Sequence, residues 1–174
     1  MKIIILGNIG SGKTTILKKL NQNIHFDEVI IDEFRIKYGD NSLEGETLAR
    51  EHFYSVIKEN KNQFIECTGV GDVATKLYQQ LKEYNEHILL LILLAHKEIC
   101  LERIENRIWN IPFPFKDELL SSKVARIEKT LSLDAIKREF SQKGNLTIIS
   151  KKNENPEDEN SIIQEVISFI NSNK

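Results

Sequence analysis

The chain has 174 residues, 40% hydrophobic and 29% charged, the balance of one ordinary globular domain. A fibrous, collagen-like or wholly disordered chain is thereby excluded. Lys and Arg total 24 against 26 Asp and Glu, a formal charge of −2, so no global basic field exists to coat a nucleic acid.

The basic set is lopsided, with 18 Lys and 6 Arg. The opening apolar run Ile3-Ile4-Ile5-Leu6 is too short for an export signal. The longest apolar run, residues 88–95, is eight residues, against the roughly 20 that span a bilayer. Neither an export segment nor a membrane anchor is expected. Cys67 and Cys100 lie far apart with no C-x-x-C spacing. His25, His52, His87 and His96 show no metal-ligand spacing either. Buried thiols in a reducing cytoplasm are expected, and a cysteine-based zinc site is not.

In chain order, residues 2–6 read as a buried strand. Residues 14–20 follow as a helix, with Ile16, Leu17 and Leu20 at helical spacing. A second strand covers 29–31 and ends at Asp32. Residues 43–58 read as a helix through Leu48, Phe53, Val56 and Ile57. Residues 63–67 form a third strand, closed by Thr68-Gly69-Val70-Gly71. Asp72 stands where it can cap a helix bearing Val73, Leu77 and Leu81 on one stripe. Residues 88–94 are apolar at every position, a strand covered on both faces. A helix over 97–107 ends at a break, residues 108–116, where Pro112 and Pro114 forbid a continuous helix. Residues 146–150 are a fifth strand. The acidic stretch 153–160 reads as a solvated loop, and Pro156 opens a last helix with Ile162, Ile163, Val166, Ile167 and Ile170 on its apolar face. This alternation predicts an α/β fold, a three-layer α/β/α sandwich on a mostly parallel sheet.

Gly7-Asn8-Ile9-Gly10-Ser11-Gly12-Lys13-Thr14 fits G-x-x-x-x-G-K-[ST] without departure. It follows a buried strand and opens a helix, the context the motif's mechanism requires. Successive backbone N–H groups of such a loop turn inward and cradle phosphate oxygens, and the helix N-terminus adds positive potential. Lys13 is expected at the β- and γ-phosphates and the Thr14 hydroxyl on Mg²⁺. The motif resembles the phosphate loop of P-loop NTPases. No Asn-Lys-x-Asp is present to read guanine, and the place of the GTPase Asp-x-x-Gly reads Glu66-Cys67-Thr68-Gly69. The size suits a small-molecule or nucleotide kinase.

Asp32 ends strand two, where a carboxylate can take the proton of an attacking hydroxyl. Arg35 either clamps an anionic group of the acceptor or orients Asp32. Glu33 serves as base instead if the strand ends one residue later. This Asp-x-x-Arg looks like the motif at the same place in polynucleotide-kinase-like and zeta-toxin-like P-loop kinases. The stretch from Asn8 through Ile9, Gly10, Ser11, Gly12, Lys13 and Thr14 to Thr15 is similar to the loop of deoxynucleoside kinases, although their Asp-Arg-Ser is absent.

Glu66, on the carboxyl edge of the sheet, holds a magnesium-bound water or the acceptor, or is a solvated turn residue. Gly69 and Gly71 would let backbone approach the acceptor. Arg103 and Arg107 fall on one face of a helix before the proline break. They resemble the start of a nucleoside-kinase lid, with Arg103 near adenine and Arg107 on the phosphates. The alternative is salt-bridging with Glu102 or Glu105. Arg126 is a further lid candidate. Trp109, Phe113 and Phe115 pack the lid or stack on a base, Tyr38 and Phe53 read as core, and Cys67 reads as structural.

The resemblance implies strand order 2-3-1-4-5 in a P-loop kinase fold of five parallel strands. It implies one domain over 1–174, with a lid over about 103–126 and an acceptor-side helical segment over about 33–60. It further implies transfer of the γ-phosphoryl of ATP, with Mg²⁺, to a hydroxyl of a small-molecule or nucleoside-like acceptor. Asp32 would be the base, with Lys13 and Arg107 stabilising charge. Two alternatives stand beside this: a nucleotide-dependent regulatory switch, and a polynucleotide 5′-hydroxyl kinase, which the near-neutral charge disfavours.

Overall fold

In the computed structural model, which describes residues 1–105, 110–114 and 118–173, the apolar runs become the strands of one parallel sheet. These are β1 (Lys2–Gly7), β2 (Asp27–Ile30), β3 (Gln63–Cys67), β4 (Ile88–Leu94) and β5 (Leu146–Lys152). Their order is β2-β3-β1-β4-β5, all pairs parallel. The central strand β1 is buried throughout. The edge strand β5 runs past the predicted end at Ser150 because Lys151 and Lys152 stay paired with Leu93 and Leu94 of β4, and its partial exposure accommodates both lysines.

Alternation along the strands sends side chains to two separate cores. On one face Ile4, Leu6, Ile65, Leu90 and Ile92 meet α3 (Leu43–Ile57), α4 (Val73–Leu81) and α7 (Leu133–Glu139) through Phe53, Ile57, Leu77, Leu81 and Ile136. On the other face Ile3, Ile5, Phe64, Leu89 and Leu91 meet α1 (Lys13–Ile24) and α8 (Pro156–Ser172) through Ile16, Leu17, Leu20, Ile162, Val166 and Ile170. Each such side chain, fully buried, contributes about 1.5–3 kcal/mol. A third cluster, Cys100, Ile104 and Val124, joins α5 (Lys97–Glu105) to α6 (Leu120–Thr130) beside the loop after β1. The three layers follow directly.

Four expectations change. Strand two stops at Ile30 and α2 (Ile31–Tyr38) starts at once, so Asp32 and Glu33 occupy a first helical turn, where the helix dipole favours carboxylates. The acidic stretch 153–160 is not a solvated loop. Asn153 is 1% exposed, and Asn155 caps α8 by accepting from the Asp158 N–H at 2.8 Å. Glu157, Asp158 and Glu159 then fill the first turn of α8. Asp72 precedes α4 but makes no capping bond, because its carboxylate is engaged by Arg50 and Lys76. Tyr38 is half-buried and stacks on His52 at 3.9 Å, outside the core, whereas Phe53 is within it. Both cysteines are buried. No described helix is long and apolar enough to cross a membrane.

Candidate active site

The carboxyl ends of the strands open on a cavity of about 470 Å³. Its floor is the loop between β1 and α1. Gly10 has φ +80°, and a β-carbon there would stand 2.4 Å from the Cys100 carbonyl oxygen. Gly12 has φ +90° and lies against the Asn153 side-chain amide. Only glycine suits either place without strain. The first amides of α1 have no intrahelical acceptor. Gly12, Lys13, Thr14 and Thr15 line the cavity at this end.

Polar bonds from three other elements hold the loop. Asn8 donates from Nδ2 to the Val124 carbonyl of α6 at 2.9 Å, and its Oδ1 accepts from the Ile9 N–H. Asn153, at the close of β5, donates from Nδ2 to the Ser11 carbonyl at 2.7 Å. Arg103 of α5 donates to the Asn153 carbonyl at 2.8 Å and to the Gly10 carbonyl at 3.4 Å. The Lys13 ammonium is buried, donates to the Asn8 carbonyl at 2.9 Å and lies 3.8 Å from Glu66 Oε1. Glu66 is thus a buried carboxylate beside Lys13, and the solvated reading fails because β3 ends inside the cavity wall.

The part of the lining that α2 and α3 supply is acidic and guanidinium-rich. Asp32 lines the cavity, while Glu33 is exposed and does not. Arg35 donates from Nη1 to Asp32 Oδ1 at 2.9 Å and grips Glu46 with Nε and Nη2 at 2.9 and 2.7 Å. Burial opposes the Arg35 charge, and the Glu46 and Asp32 carboxylates outweigh it, so the guanidinium pKa rises. Burial likewise pushes Glu46 up, but Arg35 and Arg50 prevail and hold it below the ordinary glutamate range. Arg50 bonds Glu46 at 2.9 Å and Asp72 at 3.1 Å. The chain Asp32–Arg35–Glu46–Arg50–Asp72 fixes the orientation of Asp32.

Other candidates are placed differently. Gly69 packs on Leu6 and Gly71 faces open space, so Thr68 and Val70 present this turn to the cavity instead. Arg126 lines the cavity and forks onto Glu118, both bonds 3.1 Å. Phe113 lies over the α2–α3 side: the Arg35 guanidinium is 5.1 Å from its ring centre, and its N–H donates to Asn41 Oδ1. Burial pushes the Cys67 thiol up to about 12, consistent with a structural role. Arg107, Trp109 and Phe115 lie outside the described residues.

Among the described residues no three His, Cys, Asp or Glu side chains cluster as a metal cage. The Thr14 hydroxyl and the Glu66 carboxylate are oxygen donors that line the cavity beside Lys13. Such a sparse donor set suits Mg²⁺, which keeps waters and takes ligands from substrate phosphates.

No family model matches the chain. It is 24% identical over 175 residues to a Pyrococcus furiosus protein described as "Putative adenylate kinase", covering 99% of this chain and 85% of the relative. Among solved structures it superposes on a Chloroflexus aurantiacus protein described as "putative kinase" with TM-score 0.68 and 18% identity, covering 99% of this chain and 97% of that one. It also matches shikimate kinase from Acinetobacter baumannii in complex with shikimate, with TM-score 0.62 and 21% identity, covering 99% and 94%. The fold is that of the P-loop kinases.

Within this P-loop kinase fold, Glu46, Arg50, Lys123 and Asn153, to which no sequence motif points, all line the cavity or bond a residue that does. Glu46 and Arg50 carried one signal, an i, i+4 pair on a helix. Asn153 would have been found had β5 been drawn two residues longer, since ligands of open α/β sheets gather at strand ends. Lys123 carried no signal: one lysine among 18, on a helix the periodicity had not delimited.

Proposed function

We propose that this protein is an ATP- and Mg²⁺-dependent kinase of a small-molecule hydroxyl. What carries the reading is one juxtaposition: the buried Lys13 ammonium at the phosphate loop and the Asp32 carboxylate held by Arg35 line one cavity. The kinase descriptions of its relatives agree with it.

In this reading the loop amides and Lys13 bind the nucleotide phosphates. Bound Mg²⁺, held through Thr14 with Glu66 nearby, would neutralise charge on the β- and γ-phosphates. Asp32 accepts the proton of the acceptor hydroxyl as its oxygen forms a bond to the γ-phosphorus. The bond from γ-phosphorus to the bridging oxygen breaks, and ADP leaves with that electron pair. Arg35 holds Asp32 in place. Lys13 offsets charge on the transferring group, with Arg107 as the further candidate, and Arg103 braces the loop and the adenine side. Residues 110–114 cover the acceptor side from the proline break.

The test is a library of hydroxyl-bearing metabolites screened for stimulated ADP release, each hit checked by mass spectrometry for a phosphorylated product. A hit that fails with Lys13→Met supports the reading. Nucleotide binding with unstimulated hydrolysis across the library would instead indicate a regulatory NTPase.

A further inference from the structure

We propose that Lys123 binds an anionic group of the phosphoryl acceptor, a carboxylate or a phosphate, making the cavity selective for negatively charged alcohols. This deepens the kinase reading and rests on it.

Lys123 is a cation that the reaction as described does not use. It stands on α6, is 6% exposed and lines the cavity. Arg35, Arg50 and Arg126 each hold a carboxylate, but Lys123 makes no ion pair among the described residues. Its Nζ lies 4.3 Å from the centre of the Phe113 ring. A cation–π contact returns only part of what burying an ammonium costs, so it leaves a deficit. Burial accordingly lowers the Lys123 pKa, Glu118 opposes this, and Arg126 and Arg35 add to the lowering. An anion delivered by a ligand removes that deficit.

The position selects the acceptor over ATP. The nucleotide phosphates already have the loop amides, the α1 N-terminus and Lys13. α6 meets the loop through the Val124 carbonyl, and the ammonium of Lys123, one residue earlier, shares the Phe113 ring with Arg35. Arg35 holds Asp32. A molecule with its anion at Lys123 and its apolar surface along Phe113 therefore lies beside the helix that carries the base. A cavity of about 470 Å³ has room for a compact acid or a phosphorylated alcohol.

The experiment loads the protein with Mg²⁺ and a non-hydrolysable ATP analogue, so that the phosphate loop is filled. Inorganic phosphate and acetate are then titrated separately, following amide chemical shifts of residues 120–127. Saturable binding of either anion is expected, weakened about tenfold or more in Lys123→Met and restored to within about threefold in Lys123→Arg. The tighter probe then assigns the acceptor's anion. Equal binding in wild type and Lys123→Met, or no saturable anion binding beside a bound analogue, overturns this inference alone. Failure to bind the analogue overturns the kinase reading with it.

Discussion

Asn153 donates its side-chain amide to the carbonyl of Ser11 at 2.7 Å, so the end of the last strand pins the floor of the phosphate loop. The two residues are 142 positions apart in the chain. Asn153 also offers its own carbonyl to Arg103, which reaches the Gly10 carbonyl as well. One asparagine thus links β5, α5 and the loop. Asn153→Ala strands a buried carbonyl at a cost of about 1–3 kcal/mol. Nucleotide affinity is expected to fall about tenfold, measurable by calorimetric titration of an ATP analogue, while circular dichroism stays native. Unchanged affinity would make the contact incidental.

Gly10 tests the loop from the opposite side. Its φ of +80° and the Cys100 carbonyl 2.4 Å from a β-carbon leave no room for alanine. The neighbour is backbone, so it cannot swing away. Gly10→Ala is expected to abolish detectable nucleotide binding and to lower the melting temperature by several degrees, from strain of roughly 1–3 kcal/mol. Calorimetry and thermal denaturation read the two effects separately.

Glu46 governs the acid side of stability. Burial raises its pKa, but Arg35 and Arg50 lower it further, so the folded value lies below the ordinary glutamate value. The unfolded chain then takes up the proton more readily than the folded one. Stability from this carboxylate is present above the ordinary glutamate pKa and is lost as pH falls through the folded value. Glu46→Gln is expected to cost roughly 2 kcal/mol at neutral pH and to flatten the decline of stability below the ordinary glutamate pKa. Urea denaturation at a series of pH values checks both. Parallel wild-type and variant profiles would contradict the assignment.

The strands and the phosphate loop were legible because their signals are local. Residues 88–94 could only be a strand buried on both faces, and Gly7 through Thr14 carry a motif whose mechanism needs that strand before it and a helix after it. The walls were not, because they depend on tertiary neighbours. Nothing around residue 123 says that its ammonium will lie against Phe113 inside a cavity. Asp32 was read at a strand end when it begins a helix, since Val-Ile-Ile before an acidic pair suits either state. Asn153 was hidden by lysines at the end of an edge strand, where exposure erases the hydrophobic pattern.

Asp32→Asn separates binding from chemistry. Asparagine keeps an oxygen for the Arg35 Nη1 donor, so the wall should stay in place while the base is lost. Nucleotide affinity is expected to stay within about twofold of wild type. Transfer to the acceptor is expected to fall about 10²- to 10⁴-fold, the usual contribution of a general base. Rapid-quench single turnovers measure the transfer step directly. Undiminished transfer would remove Asp32 from the role of base.

The central claim is phosphoryl transfer, and following the γ-phosphate itself tests it most directly. The protein is incubated with [γ-³²P]ATP, Mg²⁺ and a pool of hydroxyl-bearing small molecules, and the label is resolved by chromatography. The account predicts that ³²P appears in an organic phosphate ester, and that this product vanishes with Lys13→Met. Label recovered only as inorganic phosphate, at a rate the pool does not change, would contradict it.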